Sequence, residues 1–343
     1  MPYSLYHHNT FGIHATCDGF AEYHSQEECL QLAEQLRQSQ QAWLPIGRGS
    51  NLLFVAPHYA GYIVHNAIKG IECMEESNDE VIVRIGGGEI WDNVVEHCVE
   101  QGWYGLENLS LIPGEVGAAA VQNIGAYGEE VGTHIVRVEG VYVLPEVKAA
   151  TIERDACQYA YRSSIFKHNL KDVFLVTHVW LRLSKNFVPK LTHKAIVSRL
   201  AGKGITPQEV TATELRRSII EIRQEKLPDP EVTGNAGSFF MNPVVPEALA
   251  DSIRAQYPDL PCYPCPSDTE EGYVKIPAAW LIEKCGWKGK SLGPAGVNPL
   301  QPLVLTNNGT ATGADIVALA NAIQHDVKLK FSIELHPEVR YIS

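Results

Sequence analysis

No run in this 343-residue chain is apolar for long enough to span a bilayer, so no membrane span is expected. Met1-Pro2-Tyr3-Ser4 lacks the basic segment and apolar core of a signal peptide, and none is expected. Positive charge is scarce: 28 Lys and Arg stand against 40 Asp and Glu, a net charge of -12. That argues against a general affinity for nucleic acid or anionic membranes, and an anionic substrate needs a local cationic pocket. Only one C-x-x-C occurs, Cys262 to Cys265, and no second pair completes a zinc site. The 13 histidines contain no H-x-x-x-H, so no metal is expected. The eight cysteines are scattered, which suits reduced thiols in a cytosol. The dinucleotide fingerprint G-x-G-x-x-G is also missing.

What is there is a globular composition, 45% hydrophobic and 20% charged, at a length suited to roughly two or three domains. Ser25 and Glu28 form a capping-box pattern ahead of the stripe Cys29, Leu32, Ala33 and Leu36, which predicts a helix from Ser25 to Gln40. Strands are predicted at Ala42 to Ile46, Leu52 to Val55, Tyr62 to His65 and Val81 to Ile85. A helix from Ile90 to Gln101 should stop at Gly102. Val138 to Leu144 and Val173 to Leu183 read as strands of a mixed sheet. Near residue 220 the character changes. The Glu214 to Arg223 helix is broken by Pro228-Asp229-Pro230. A helix near Ala278 to Cys285 and a last helix with Ile316, Leu319, Ala320, Ile323 and Val327 on one face follow, and a final strand begins near Phe331.

Two glycine-rich segments invite a diphosphate. Glycines let main-chain N–H groups converge on an anion without lysines. Gly47-Arg48-Gly49-Ser50-Asn51 follows a strand, and Gly114, Gly117, Gly125 and Gly128 make a second, longer turn. Singly, each reads as an ordinary tight turn. A third segment, Gly234-Asn235-Ala236-Gly237-Ser238-Phe239-Phe240-Met241-Asn242-Pro243, holds a serine with no neighbouring base to make it a nucleophile. It reads as a proton donor.

These segments, in this order, resemble the UDP-N-acetylenolpyruvoylglucosamine reductase family. The resemblance runs from Asn9-Thr10-Phe11 through Gly86-Gly87-Gly88-Glu89 and Ile112-Pro113-Gly114 to Gln122-Asn123-Ile124-Gly125-Ala126-Tyr127-Gly128, and on to the serine loop. It implies an α+β fold: two subdomains of the vanillyl-alcohol-oxidase type holding FAD, plus a C-terminal α+β substrate domain. The expected division is 1–68, rejoined by 331–343, then 69–220, then 221–330. It implies non-covalent FAD on Gly47, Gly49, Ser50, Asn51, Gly114, Gly117 and Gly125, and NADPH as hydride donor. The implied substrate is UDP-N-acetylglucosamine enolpyruvate, handled by a cytoplasmic monomer. Arg162, in Tyr161-Arg162-Ser163-Ser164-Ile165-Phe166, Ser238 and Glu338, in Pro337-Glu338-Val339-Arg340, match the family's catalytic positions. Lys226, Asn242, Lys288 and Gln301 match its substrate contacts. His193 stands where forms with an inserted loop carry a tyrosine over the substrate diphosphate; either it replaces that tyrosine or the loop registers differently.

The chemistry explains the residue types. Reduction of an enolpyruvyl ether leaves an enolate. Arg162 suits its charge, Glu338 its carboxylate, and Ser238 the proton that quenches its carbon. Taken alone, the bland reading is the stronger for each: Arg162 as a surface ion-pair partner, the usual fate of an arginine, Ser238 as a turn residue and Glu338 as a cap or a partner for Arg340. An oxidase of the wider flavin superfamily is a second enzyme reading. The Gly114 to Gly128 segment offers no histidine or cysteine for covalent flavin, and Ser238 would then lack a job. A flavin- or nucleotide-sugar-binding module without activity is the third; keeping Arg162, Ser238 and Glu338 together speaks against it.

Overall fold

A computed structural model of the protein describes residues 2–264 and 272–343. They form two compact units. The first comprises Cys17–Arg48 and Ala60–Glu225 with residues 2–3; the second comprises Ser4–Thr16, Gly49–Tyr59 and Lys226–Ser343.

In the first unit the capped helix runs Gln26–Ser39. Ser25 Oγ accepts the Glu28 amide at 3.1 Å, and Glu28 Oε2 accepts the His24 amide at 2.7 Å. Its apolar stripe buries Cys29, Ala33 and Leu36 with Val64, Val141 and Leu175. Trp43–Ile46 follows and pairs in parallel with His58–Asn66.

A second sheet orders its strands Lys148–Glu153, Ile135–Tyr142, Phe174–Ser184, Glu80–Gly86 and Ile71–Glu76, and every pairing is antiparallel. The mixed sheet predicted for two of these strands is therefore corrected. Two of the four neighbouring pairs are joined by short connections, which cannot carry a parallel crossover. One face sends Val81, Val83, Ile85, Val179 and Leu181 into a core closed by Trp91–Glu100 and Val116–Gln122. Gly102, at φ +73, ends the first of these helices as predicted. Lys194–Gly202 and Ala212–Lys226 form a smaller cluster around Ile196, Leu200, Leu215 and Ile219.

In the second unit, Gly234–Ser238, Val304–Asn307, Ala295–Val297 and Ser291–Leu292 make an antiparallel sheet. The Gly313–Phe331 helix packs on it through Ile316, Leu319, Ala320, Ile323 and Val327, all fully buried. Thr312 caps that helix in a reciprocal box with Asp315. A smaller sheet joins Val244–Pro246, Tyr273–Lys275 and Tyr263–Pro264. The last strand is Arg340–Ile342, parallel to Leu52–Phe54, and does not begin near Phe331. Phe331 continues the buried i+4 stripe from Ile323 and Val327, so it stays helical until Ser332 turns left-handed at φ +56. Among the described residues no helix is long and apolar enough to cross a membrane.

Candidate active site

The serine is set by a bulged strand. Gly234–Ser238 pairs with Val304–Asn307, but the register slips between Asn235 and Ser238. Gly237 takes φ +67, and Asn235 Oδ1 accepts its amide at 2.9 Å. Such a bulge re-aims the next side chain. The two aromatics after the serine anchor it: Phe239 and Phe240 are fully buried, and Phe239 meets Phe11 edge-on. Ser238 itself stays exposed.

This anchor brings in the C-terminal segment. The Phe239 carbonyl accepts the Glu338 amide at 2.8 Å, and Phe240 bridges to Pro337. Asn51 joins from the glycine-rich turn. Its Nδ2 donates to the Glu338 carbonyl at 3.4 Å, and its own carbonyl accepts the Arg340 amide at 3.0 Å. Within the second unit, then, Ser238, Glu338 and Asn51 lie on adjoining backbone segments.

The turn carrying Asn51 requires glycine. Gly49 has φ +69, and a β-carbon there would sit 2.1 Å from the His8 carbonyl. In the first unit a β-carbon on Gly47 would meet Glu115 Oε2 at 3.0 Å. Glu115 is buried, and His65 Nε2 lies 3.1 Å from it. Burial alone lowers the His65 pKa, but the hydrogen bonds and charges of Glu115 and then Glu22 outweigh it and raise the pKa. Glycine at this turn lets the main chain approach an anion closely, as a flavin diphosphate requires.

Residues 114–128 are not one long turn, as the sequence predicts, but a helix and a hairpin. Val116–Gln122 is helical, since Ala118-Ala119-Ala120 are strong helix formers. Gly125–Ala126 and Glu129–Glu130 then pair around Tyr127 and Gly128, both at positive φ, as a tight hairpin turn requires. Gly114, at φ +122, accepts the Trp91 amide. Gly117 donates its own amide to the Gly87 carbonyl at 2.8 Å, and a β-carbon there would lie 3.2 Å from that oxygen. Glycine at 117 lets the helix lie against the Gly86–Gly88 turn.

Arg162 lies on a turn closed by mutual amide–carbonyl bonds between Ala160 and Ser163. It holds φ +54, a conformation costing roughly 1–2 kcal/mol for a residue other than glycine. Its guanidinium donates to the Asn123 carbonyl at 3.4 Å and to the Gly125 carbonyl. Arg162, Asn123 and Gly125 are therefore joined within the first unit.

The residues expected to contact the substrate lie on separate segments. Lys226 is exposed at the end of its helix. Asn242 Oδ1 accepts the Ala278 amide at 2.9 Å. Lys288 pairs with Glu283 at 3.0 Å on the surface. Gln301 shapes the turn before Val304 through its carbonyl. His193 caps the Lys194–Gly202 helix by accepting the Ala195 amide at 3.2 Å, and its ring stands edge-on to Tyr127 at 5.0 Å. Beside that segment is a cavity of about 240 Å³ lined in part by Glu107, Glu129 and Lys190. Burial works to raise the Glu129 pKa, yet His134, Lys190 and Thr133 bring it to about 2. Cys262 Sγ accepts from Arg254 Nη2 at 3.1 Å; its partner in the C-x-x-C, Cys265, lies outside the described residues.

Three residues had no role from sequence alone: Asn123, Lys167 and Arg223. An Asn after an alanine-rich helix is the usual signal for a left-handed cap, and Asn123 has φ +46. Arg223 Nε donates to the Leu111 carbonyl at 3.2 Å. Burial lowers its pKa, with Tyr127 and Asp92 opposing.

Residues 229–342 match the family model described as UDP-N-acetylenolpyruvoylglucosamine reductase, C-terminal domain, and residues 17–146 match the FAD binding domain. The chain is 49% identical to the UDP-N-acetylenolpyruvoylglucosamine reductase of Bacteroides fragilis over 99% of both chains. It is 43% identical to that of Porphyromonas gingivalis, over 99% of this chain and 98% of the other. Its fold is similar to the crystal structure of the reductase from Thermus caldophilus, at a TM-score of 0.68 and 18% identity, covering 100% of this chain and 98% of that one.

Proposed function

This chain belongs to the UDP-N-acetylenolpyruvoylglucosamine reductase family, and on that premise we propose how its residues divide the reaction. It is an FAD-dependent oxidoreductase of peptidoglycan precursor synthesis. The finer reading is that NADPH reduces the flavin and that UDP-N-acetylglucosamine enolpyruvate becomes UDP-N-acetylmuramate, in a cytoplasmic monomer. Residues 1–68 with 331–343, and 69–220, hold the flavin; 221–330 hold the nucleotide sugar.

FAD, when bound, supplies the two-electron reduction of the enolpyruvyl double bond. Reduction at the terminal carbon leaves negative charge on the adjacent carbon and its carboxylate. Arg162 stabilises that charge, an effect worth several kcal/mol in a water-excluded site. Glu338 orients the carboxylate by sharing a proton with it. The Ser238 hydroxyl gives its proton to the carbon, and the alkoxide left behind regains one from water. An enolate carbon is basic enough to take a proton from so weak an acid. Lys226, Asn242, Lys288 and Gln301 bind the nucleotide sugar, and His193 covers its diphosphate. Gly47, Gly49, Ser50, Asn51, Gly114, Gly117 and Gly125 hold the flavin.

The observation that carries this reading is the 2.8 Å bond from the Glu338 amide to the Phe239 carbonyl, which seats the glutamate beside the serine strand. Stopped-flow absorbance of the flavin in separate half-reactions tests it. Ser238→Ala should accept electrons from NADPH at a near-normal rate. Its reoxidation by the enolpyruvyl substrate should slow by about 10²–10⁴, and Ser238→Cys should recover part of the loss. Equal slowing of both halves would point to folding or flavin binding instead, and an unchanged second half removes Ser238 from the mechanism.

A further inference from the structure

We propose that Asn123 is a positioning residue, locking the Arg162 turn so that the guanidinium is held in one orientation before substrate arrives. The proposal rests on the reading of Arg162 given above.

The Arg162 turn is fastened to the end of the Val116–Gln122 helix at several points. Asn123 is 1% exposed and uses both ends of its amide. Its Nδ2 donates to the Ala160 carbonyl at 2.8 Å and to Glu130 Oε2 at 2.9 Å, and its Oδ1 accepts the Gly132 amide at 2.9 Å. One side chain thus ties together the Arg162 turn, the hairpin strand holding Glu130 and the short helix that follows it. Ser164 Oγ donates to the Val121 carbonyl at 2.6 Å, and Lys167 Nζ to the Arg162 carbonyl at 2.7 Å.

The guanidinium rests on the same frame. It donates to the main-chain carbonyls of Asn123 and Gly125. A β-carbon at 125 would come within 2.7 Å of Arg162 Nη1, so only glycine lets the group lie there. A guanidinium has five N–H donors in one rigid plane; fixing two on carbonyls sets the plane for the rest. The left-handed backbone of Arg162 persists because this frame over-determines it. Charge stabilisation is strongest when the donors need no reorganisation during the reaction, and this frame supplies that.

No other side chain matches the three contacts of Asn123. Aspartate would lose both donations and set a second carboxylate against Glu130. Alanine would lose all three and strain the left-handed backbone. Glycine removes the side chain but keeps that backbone without strain, so Asn123→Gly is the informative change.

The expected result is normal FAD content and near-normal reduction by NADPH, with flavin reoxidation by the enolpyruvyl substrate slowed about 10- to 100-fold. Introduced into Arg162→Ala, the same change should add no further slowing, since its effect runs through the arginine. A wild-type reoxidation rate in Asn123→Gly overturns the proposal, as does full additivity with Arg162→Ala. An Arg162→Ala protein that reoxidises normally overturns instead the underlying reading of the arginine, so the two failures are distinct. Should Asn123→Gly not fold, Asn123→Asp carries the test, since it keeps an acceptor for the Gly132 amide and tolerates the left-handed backbone but loses the donation to the Ala160 carbonyl. Slowing of a few-fold that vanishes in the Arg162→Ala background is then expected, and an unchanged or additive rate overturns the proposal.

Discussion

His193 shows how much one side chain can be asked to do. It accepts the Ala195 amide at the start of the Lys194–Gly202 helix while its ring stands against Tyr127. Loss of a helix cap costs about 1 kcal/mol, so His193→Ala should lower stability by roughly that amount in urea unfolding. Its proposed cover over the substrate diphosphate predicts a second effect, a higher Michaelis constant for the UDP-sugar with NADPH reduction of FAD unchanged. His193→Asn separates the two, because asparagine caps well but lacks the imidazole. It should restore stability and leave the Michaelis constant raised. If His193→Asn restores both, the ring has no part in binding.

The Ala212–Lys226 helix acts as a clamp on a turn far away in sequence. Leu111 takes φ +57, costly for a leucine. Asp92 Oδ1 accepts its amide at 2.5 Å, and Arg223 Nε donates to its carbonyl at 3.2 Å. Arg216, on the same helix as Arg223, holds Asp92 through both carboxylate oxygens at 2.9 and 3.2 Å. Arg216 is almost wholly buried, with Glu96 as a second, more distant partner at 3.4 Å. Asp92→Ala should therefore strand a buried guanidinium and free a strained turn, lowering unfolding free energy by about 3 kcal/mol. The change should appear as a shift in the urea midpoint at constant slope. A loss below about 1 kcal/mol, as for an exposed pair, would mean that Glu96 or water takes over.

For the molecule as a whole, the proposed cradle is glycine turns, a hydroxyl and an amide, with no covalent anchor in the 114–128 segment. The purified protein should be yellow and should release intact FAD into the supernatant on acid or heat denaturation. Flavin that remains with the precipitated chain, or a colourless protein that FAD cannot reconstitute, contradicts this.

Local signals made much of this protein legible in its sequence. The Ser25 cap, the stop at Gly102 and the stripe from Ile316 to Val327 rest on contacts a few residues apart, and each appears in the fold. So did the family, because its segments are strung in order along the chain. Long-range pairing was not legible. Strand direction in the five-stranded sheet, the late start of the last strand and its parallel partner at Leu52–Phe54 depend on what lies alongside, which no local pattern encodes. The clasp at Arg162 is of the same kind. The sequence marks the arginine by its neighbours Tyr161 and Ser163, but Asn123 lies 39 residues away, and only the folded chain sets its carbonyl beside the guanidinium. Propensity and capping are properties of short segments; the orientation of a charged group belongs to the frame that closes around it.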